Sequence, residues 1–233
     1  MSSADFRFRQ FTVRHDRCAM KVGTDGVLLG AWGTLPSGGR VLDIGTGTGL
    51  VALMVAQRTP TAHVTAIDID AEAVAQAQEN VDASPFAGRI TVLHSALQDF
   101  QAPAFDAIFC NPPFFEESLL PPDIRRSAAR HTATLSFAEL ADAVATLLAA
   151  DGSFSTILPT SSFDAFRLLC FARGLLLCRR CQVRTTPTKA PKRVLATFAR
   201  REPEHVGDTT LILNDGPART AAYAALTHDF YLW

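Results

Sequence analysis

A buried strand that runs into a glycine-rich loop and then into a helix is the feature that most restricts the fold of this chain. Residues 41–49 read Val-Leu-Asp-Ile-Gly-Thr-Gly-Thr-Gly, and residues 50–58 have the apolar pattern of a helix. From there to about residue 200, short apolar runs alternate with longer segments of helical periodicity. This alternation is typical of βαβ units, in which helices cover both faces of a mostly parallel sheet.

The pattern predicts an α/β fold with seven strands. The last two strands have no long helix between them, which predicts an antiparallel hairpin at one edge of the sheet. The predicted strands are 40–44, 63–68, 90–93, 105–110, 153–158, 175–183 and 194–200, and the predicted helices are 25–32, 50–58, 71–81, 137–149, 162–172 and 217–226.

Length and composition favour one globular domain. The chain has 233 residues, of which 48% are hydrophobic and only 19% charged, so disorder is excluded for the chain as a whole. We expect an N-terminal covering segment (1–38), a catalytic core (39–201) and a C-terminal tail (202–233). No signal sequence or membrane-spanning apolar run is present, and five cysteines without a signal predict reduced thiols in the cytoplasm. Cys178 and Cys181 lack the second pair that a zinc site needs, so no metal is predicted.

The glycine loop predicts a cofactor site. Its spacing is G-x-G-x-G, and Asp43 stands two residues before Gly45. A pyrophosphate at a helix N-terminus is disfavoured by a nearby carboxylate, whereas the cationic end of S-adenosylmethionine suits one. Asp68 ends the second core strand, where a carboxylate accepts hydrogen bonds from ribose hydroxyls in either cofactor. An NAD-dependent oxidoreductase therefore remains a functional alternative. A purely structural alternative is a simple glycine turn with Asp43 as a cap.

The tetrapeptide Asn111-Pro112-Pro113-Phe114 follows the fourth core strand directly. Two prolines force an extended turn and present Asn111 at the carboxyl edge of the sheet. The Asn111 side chain and the Pro112 backbone offer two acceptors for an amino group, and Phe114 offers a ring on which a base can stack. These groups suit methylation of a planar amine or amide nitrogen, which needs positioning more than a strong base. A tight turn or helix cap is the structural alternative.

With this tetrapeptide the chain resembles a class I S-adenosylmethionine-dependent methyltransferase, which implies a Rossmann-like fold. Residues 11–32 (FTVRHDRCAMKVGTDGVLLGAW) look like the opening of the bacterial tRNA1(Val) (adenine-37-N6)-methyltransferase family. Residues 130–131, 192–195 and 229–232 resemble that family too. The resemblance spans nearly the whole chain and implies methyl transfer to N6 of the adenine beside the anticodon of a valine tRNA.

The motifs, the charge distribution and the resemblance together predict roles for individual residues. Many methyltransferases have an acid after the third core strand that holds adenine, but this chain has Ser95 and Ala96 there. The expected catalytic residues are Asn111, Pro112 and Phe114. The expected cofactor-binding residues are Lys21, Gly23, Thr24, Asp43, Gly45, Thr46, Gly47, Gly49, Asp68, Ile69, Ser95, Ala96 and Asn111, with Asp25 beside Thr24 as a cover or helix cap. The expected RNA-binding residues are Phe114, Arg130, His131, Lys189, Lys192 and Arg193.

The distribution of charge is uneven, although the formal net charge is −1. Between residues 179 and 201 there are eight basic residues and no acid. Residues 61–119, in contrast, contain many acids and only one Lys or Arg, Arg89. A basic pole suits contacts with phosphates, so we expect the anticodon stem-loop of a tRNA as partner, with no membrane, metal or stable protein partner. Ribosomal RNA guanine-N2, DNA adenine and protein glutamine-N5 methyltransferases share the tetrapeptide and remain alternatives, as does an RNA-binding module without catalysis.

Overall fold

The computed structural model describes residues 5–18, 21–112 and 135–232. Its strands are β1 (Asp5–Arg7), β2 (Thr12–Arg14), β3 (Gly39–Ile44), β4 (Ala62–Asp68), β5 (Ile90–His94), β6 (Phe105–Cys110), β7 (Leu148–Pro159), β8 (Leu176–Arg184), β9 (Arg193–Ala199), β10 (Gly207–Ile212), β11 (Asn214–Asp215) and β12 (Ala218–Arg219). Its α-helices are α1 (Thr24–Trp32), α2 (Leu50–Arg58), α3 (Ala71–Asp82), α4 (Phe137–Leu147), α5 (Thr160–Phe171) and α6 (Ala221–Thr227).

The central sheet has eight strands in the order β10-β8-β9-β7-β6-β3-β4-β5. All pairs are parallel except those of β9, which runs antiparallel to both β7 and β8. The mostly parallel sheet and the β8–β9 hairpin are therefore confirmed. The eighth strand, β10, was not predicted from the sequence because its run Gly-Asp-Thr-Thr-Leu-Ile is short and mostly polar, as suits an edge strand.

Five of the six predicted helices have different bounds in the structure, and in two of them the formation of a strand explains the difference. The helix predicted at 137–149 ends at Leu147, because Leu148 already pairs with Phe105 as the first residue of β7. The helix predicted at 217–226 was wrong at its start. Residues 214–219 form the small β11–β12 hairpin, and α6 begins only after Thr220, whose side chain caps it.

Two apolar cores, one on each face of the sheet, hold the helices in place. Side chains alternate between faces along a strand, so Val41 belongs to one core and Leu42 to the other. The first core includes side chains of α1, α2, α3, α6 and the β1–β2 hairpin, and the second includes those of α4 and α5. Helices on both faces are therefore confirmed.

The order of the strands locates the crevice in which a ligand is expected. From β3 the chain moves outward through β4 and β5, then returns to the other side of β3 and moves outward through β6 and β7. In open α/β sheets, ligands bind at the carboxyl ends of the strands where the direction of winding reverses. Here that point lies between β3 and β6, which end at the glycine loop and at Asn111.

Candidate active site

The glycine loop after β3 adopts a conformation that residues with a side chain rarely take. Gly45, Gly47 and Gly49 have φ values of +67°, +54° and +79°. The loop is fastened to the neighbouring strand, since the N–H groups of Gly45 and Thr46 both donate to the Ile67 carbonyl, at 2.9 and 3.0 Å. A Cβ on Gly45 or Gly47 would have no atom within 4 Å, so the space in front of these residues is open to a ligand.

Asp43 lies beneath the loop with 2% of its surface exposed. Its Oδ2 accepts a hydrogen bond from Thr46 Oγ1 at 2.6 Å, and its carboxylate also accepts from the N–H of Ala52 in the first turn of α2. Burial raises the pKa of Asp43 to about 7, although these two hydrogen bonds favour the charged form. A cation placed beside this carboxylate would compensate its burial.

Asp68 connects the glycine loop to the end of β4. Its Oδ2 accepts from the N–H of Gly47 at 2.8 Å, and its Oδ1 accepts from the N–H of Asp70 at 3.0 Å. Its backbone carbonyl accepts from the N–H of Ser95 at 2.9 Å. Ile69, with 48% of its surface exposed, follows directly. Asp68, Ile69, Ser95 and Ala96 thus form a continuous edge at the carboxyl ends of β4 and β5.

A cleft of about 540 Å³ opens at the carboxyl ends of β3, β6 and β7. One wall is the segment that leads into α1, and the floor is the glycine loop. Asn111 at the end of β6, Pro159 at the end of β7 and Arg193 at the start of β9 complete it. The lining residues are Lys21, Val22, Gly23, Thr24, Asp25, Gly26, Asp43, Gly45, Thr46, Gly47, Thr48, Leu50, Val51, Asn111, Pro159 and Arg193.

Asn111 lines this cleft and has an unsatisfied polar atom. Its Oδ1 is buried and accepts no hydrogen bond from the described residues. Buried side-chain oxygens are normally hydrogen-bonded, so this acceptor is suited to a donor from a ligand. Pro112 follows it and is buried, whereas Phe114, Arg130 and His131 lie outside the described residues.

The N-terminal segment is held over the loop by a buried amide. Asn80 on α3 is 2% exposed. Its Oδ1 accepts from the N–H of Arg14, and its Nδ2 donates to the carbonyls of Arg14 and Thr48, each at 2.9 Å. The N–H of Arg17 donates to Gln76 Oε1 at 3.1 Å. The covering segment and the glycine loop are therefore attached to the same face of one helix.

Most arginines of the basic run have partners within the protein. Arg180 pairs with Asp208 and Arg201 with Asp151. The Arg200 guanidinium donates to the Leu148 carbonyl at the end of α4, and that of Arg179 lies 3.9 Å from the centre of the Trp32 ring. Arg193 pairs with Asp25 in the cleft wall.

Lys189 and Lys192 differ from these arginines. Both are exposed and form no ion pair with a described residue. They lie in the β8–β9 loop, whose end is attached to the start of α5: Thr160 donates through its N–H to the Lys192 carbonyl and through Oγ1 to the Pro191 carbonyl. Because Thr160 follows the cleft residue Pro159, this loop borders the cleft.

Several predicted residues lie near the cleft without lining it. Gly49 is the N-cap of α2. Asp68, Ile69, Ser95 and Ala96 form the adjoining edge.

Cys178 and Cys181 lie on β8, and burial raises the pKa of both thiols. In the three described ranges, no group of three His, Cys, Asp or Glu side chains is placed to hold a metal, and no helix is long and apolar enough to cross a membrane.

Comparison with known proteins decides the family. The Methyltransferase small domain model matches residues 23–134. The tRNA1(Val) (adenine(37)-N6)-methyltransferase of Bacteroides thetaiotaomicron is 44% identical over 234 residues, which cover 100% of this chain and 99% of the relative. The protein of the same name from Pseudoalteromonas translucida is 45% identical and covers 97% of this chain and 98% of its own length. The chain belongs to the tRNA1(Val) (adenine(37)-N6)-methyltransferase family.

Solved structures agree with this family assignment at the level of the fold. A structure described as a predicted O-methyltransferase from Agrobacterium tumefaciens has a TM-score of 0.69 at 20% identity, over 88% of this chain and 96% of that one. The ribosomal protein L11 methylase of Lactobacillus delbrueckii subsp. bulgaricus has a TM-score of 0.55 at 18% identity, over 76% of this chain and 77% of that one. The Rossmann-like methyltransferase fold is thereby confirmed.

Sequence reasoning missed Asn80 and several residues that line the cleft, namely Val22, Gly26, Thr48, Leu50, Val51 and Pro159. Asn80 had a detectable signal: α3 buries Ala73, Gln76, Ala77, Asn80 and Val81, and two amides on the buried stripe of a helix are unusual. Pro159 gave no such signal, because its place in the cleft depends on where β7 ends.

Proposed function

We propose that this enzyme transfers a methyl group from S-adenosylmethionine to N6 of the adenine at position 37 of tRNA1(Val). Its curated relatives carry this activity in their names over the full length of the chain. The observation that carries the proposal is the buried, unsatisfied Oδ1 of Asn111, which lies in the same cleft as the glycine loop and Asp43.

The residues present fit S-adenosylmethionine. Gly45 and Gly47 leave open space for a ligand, and buried Asp43 offers a negative charge for the amino group of the cofactor. Asp68 and the edge formed by Ile69, Ser95 and Ala96 would accept the ribose and adenine. Lys21, Gly23 and Thr24 would cover the amino-acid end. When bound, the cofactor supplies a methyl group activated by a positively charged sulfur.

Asn111 performs the positioning step in this proposal. The exocyclic nitrogen of adenine is a weak nucleophile because its lone pair is delocalised into the ring. Asn111 Oδ1 and the Pro112 carbonyl would accept its two hydrogens and direct the nitrogen toward the methyl group. As the nitrogen becomes positive, the same oxygens stabilise the charge. The proton leaves after transfer, so no strong general base is required.

The β8–β9 loop is proposed to meet the RNA. Lys189 and Lys192 lie beside the cleft with exposed side chains, whereas the neighbouring arginines are engaged within the protein. Phosphate contacts from these lysines would hold the anticodon stem-loop while the adenine enters the cleft. Phe114, Arg130 and His131 stay predictions for this interface. With tRNA as substrate, we expect the enzyme to act in the cytoplasm.

Methylation of unmodified valine tRNA tests the proposal. The purified protein is incubated with labelled S-adenosylmethionine and tRNA transcribed without modifications, and the product is digested and mapped by mass spectrometry. We expect one methyl group on the adenine at position 37. A matched transcript with guanine at that position should stay unlabelled. Labelling of guanine N2 in ribosomal RNA, or of a protein glutamine, would contradict the assignment.

A further inference from the structure

The ion pair between Asp25 and Arg193 joins two parts of the cleft that are distant in sequence. Arg193 Nε donates to Asp25 Oδ2 at 2.7 Å, and both residues line the cleft. Asp25 belongs to the first turn of α1, within the covering segment, whereas Arg193 is the first residue of β9. The pair therefore connects the cofactor side of the cleft to the β8–β9 loop.

Both members of the pair have rigid supports. Helix α1 lies so close to α2 that a Cβ on Gly26 would approach Leu50 Cδ2 to 3.1 Å, and one on Gly30 would approach Met54 Sδ to 2.7 Å. Arg193 lies directly opposite Pro159 in the β7–β9 ladder. Packing therefore fixes the backbones of both elements, and the charge-assisted hydrogen bond restricts the two side chains that line the cleft.

We propose that Asp25 and Arg193 form a latch, acting as one unit that keeps the cleft closed over the amino-acid end of the methyl donor. They are positioning residues in this role, and Arg193 is part of the cleft wall rather than a contact for phosphate. The inference rests on the proposed function for the identity of the donor. It differs from the sequence-based expectation, which assigned Arg193 to RNA binding with Lys189 and Lys192.

The partial exposure of the two side chains indicates that the main role of this ion pair is not to stabilise the fold. The side chains of Asp25 and Arg193 are 29% and 33% exposed. Ion pairs with this access to solvent contribute little to folding stability. Loss of the pair should therefore leave the melting temperature nearly unchanged while it opens the cleft and speeds the escape of the cofactor.

A double-mutant cycle on cofactor affinity tests the latch. The Kd of S-adenosylmethionine is measured by calorimetry, without RNA, for the wild type, D25N, R193Q and the D25N/R193Q double variant. Loss of one charge-assisted hydrogen bond should weaken binding about tenfold in each single variant. The double variant should also be weakened about tenfold rather than a hundredfold, because the second substitution removes nothing more. R193K, which keeps the charge but not the planar fork, should lie between R193Q and the wild type.

Asp142→Asn provides the matched control. Asp142 on α4 pairs with Arg173 after α5, and neither residue lines the cleft. D142N should leave the cofactor Kd unchanged. Melting temperatures of all variants show whether the fold is retained.

Three results would overturn the latch. The first is additive loss of cofactor affinity in the double variant, and the second is no loss in either single variant. The third is an R193Q variant that binds cofactor normally but binds tRNA less tightly and with a shallower salt dependence, since that is the behaviour of a phosphate contact. Failure of the wild type to methylate valine tRNA would contradict the proposed function alone, because the cofactor Kd values do not depend on RNA.

Discussion

The chemistry of this site depends on a few side chains that are buried more deeply than their polarity would suggest. Asn111 has an acceptor atom that no described residue satisfies, and Asp43 keeps a carboxylate under the glycine loop. Buried polar groups of this kind cost folding free energy, so they are retained where a ligand completes them. Both are expected to act on bound molecules rather than on the fold.

Replacement of Asn111 by alanine should affect turnover far more than binding. Loss of one preorganised hydrogen-bonding group at the reacting atom lowers the rate on the order of 10²–10³-fold. We expect a loss of this size in single-turnover methyl transfer by N111A, with tRNA affinity within twofold of the wild type. N111D keeps an acceptor oxygen at this position and should retain a much larger share of the rate. Equal losses of rate and RNA affinity in N111A would argue against the assigned role.

The affinity for S-adenosylmethionine should depend on the ionisation of Asp43. Its pKa is raised to about 7 by burial, so in the free enzyme the carboxyl is mostly protonated at pH 6 and mostly charged at pH 8. A cationic ligand needs the charged form, so cofactor binding should be about tenfold weaker at pH 6 than at pH 8. Calorimetry at the two pH values measures this ratio, and equal affinities would exclude the contact.

The charged form of Asp43 favours cofactor binding, but it should lower the stability of the free enzyme, and this can be tested separately. A carboxyl whose pKa is higher in the folded state than in the unfolded state makes the protein lose stability as pH rises from about 4 to about 7. Asp43→Asn removes that loss, and its amide still matches the Thr46 hydroxyl and the Ala52 N–H. In the free enzyme at pH 8, D43N should therefore melt at a higher temperature than the wild type while it binds cofactor more weakly. A lower melting temperature would show that the charged form of Asp43 stabilises the fold.

At the scale of elements, helix α3 connects the cofactor loop to its cover. Asn80 bonds to the backbone of Arg14 in β2 and of Thr48 in the glycine loop. Arg17 adds a backbone bond to Gln76 and an ion pair with Glu79 on the same helix. A change on α3 is therefore transmitted both to the covering segment and to the glycine loop that forms the floor of the cleft.

Replacement of Asn80 by alanine should destabilise the protein and loosen the cover. Three backbone groups would lose their partner, at a cost of about 3 kcal/mol in the free energy of unfolding. Urea denaturation measures that loss, and hydrogen exchange should rise in residues 12–18. Gln78→Ala, on the exposed face of the same helix, is the matched control and should change the free energy by less than about 0.5 kcal/mol. Similar results for the two variants would contradict the role of Asn80 on α3 in holding the covering segment to the glycine loop.

The sequence predicted regular elements better than the contacts between them. Glycine spacing and periodicity were sufficient for β3, α2 and β6, because these segments follow strong local rules. The edge strand β10 lacks a local signal, and it pairs only because β8 presents a free edge beside it. The same limit applied to Arg193: its partner Asp25 is 168 residues away, so the sequence did not predict this ion pair.

In the whole molecule, fewer residues of the basic pole are available to RNA than the sequence alone suggests. Six of the eight basic residues between 179 and 201 are held by acidic, carbonyl or aromatic partners, and Lys189 and Lys192 remain exposed beside the cleft. An arginine that already has a carboxylate partner gains less from a phosphate than an exposed lysine does. The RNA should therefore be held by the β8–β9 loop rather than along the whole run.

Replacement of Lys189 and Lys192 by alanine should reduce the salt dependence of tRNA binding. Each lost phosphate contact lowers the slope of log Kd against log salt by about one, so the double variant should lose about two. Filter binding from low to moderate salt measures the slope. Arg180→Gln removes an arginine already paired with Asp208 and should change it much less. A larger effect from Arg180 would shift the interface to the outer edge of the sheet.

The two ends of the described chain meet on the face that carries the cofactor cover. The N–H of Arg9 donates to the Phe230 carbonyl at 2.8 Å, and Phe8 stacks on Tyr231 at 5.8 Å between ring centres. During synthesis on the ribosome, the first of these segments is made long before its partner emerges. The contacts of the cover with residues 230–231 therefore form only after those residues have been translated, and we expect products that lack them to bind the methyl donor more weakly even when their central sheet has formed.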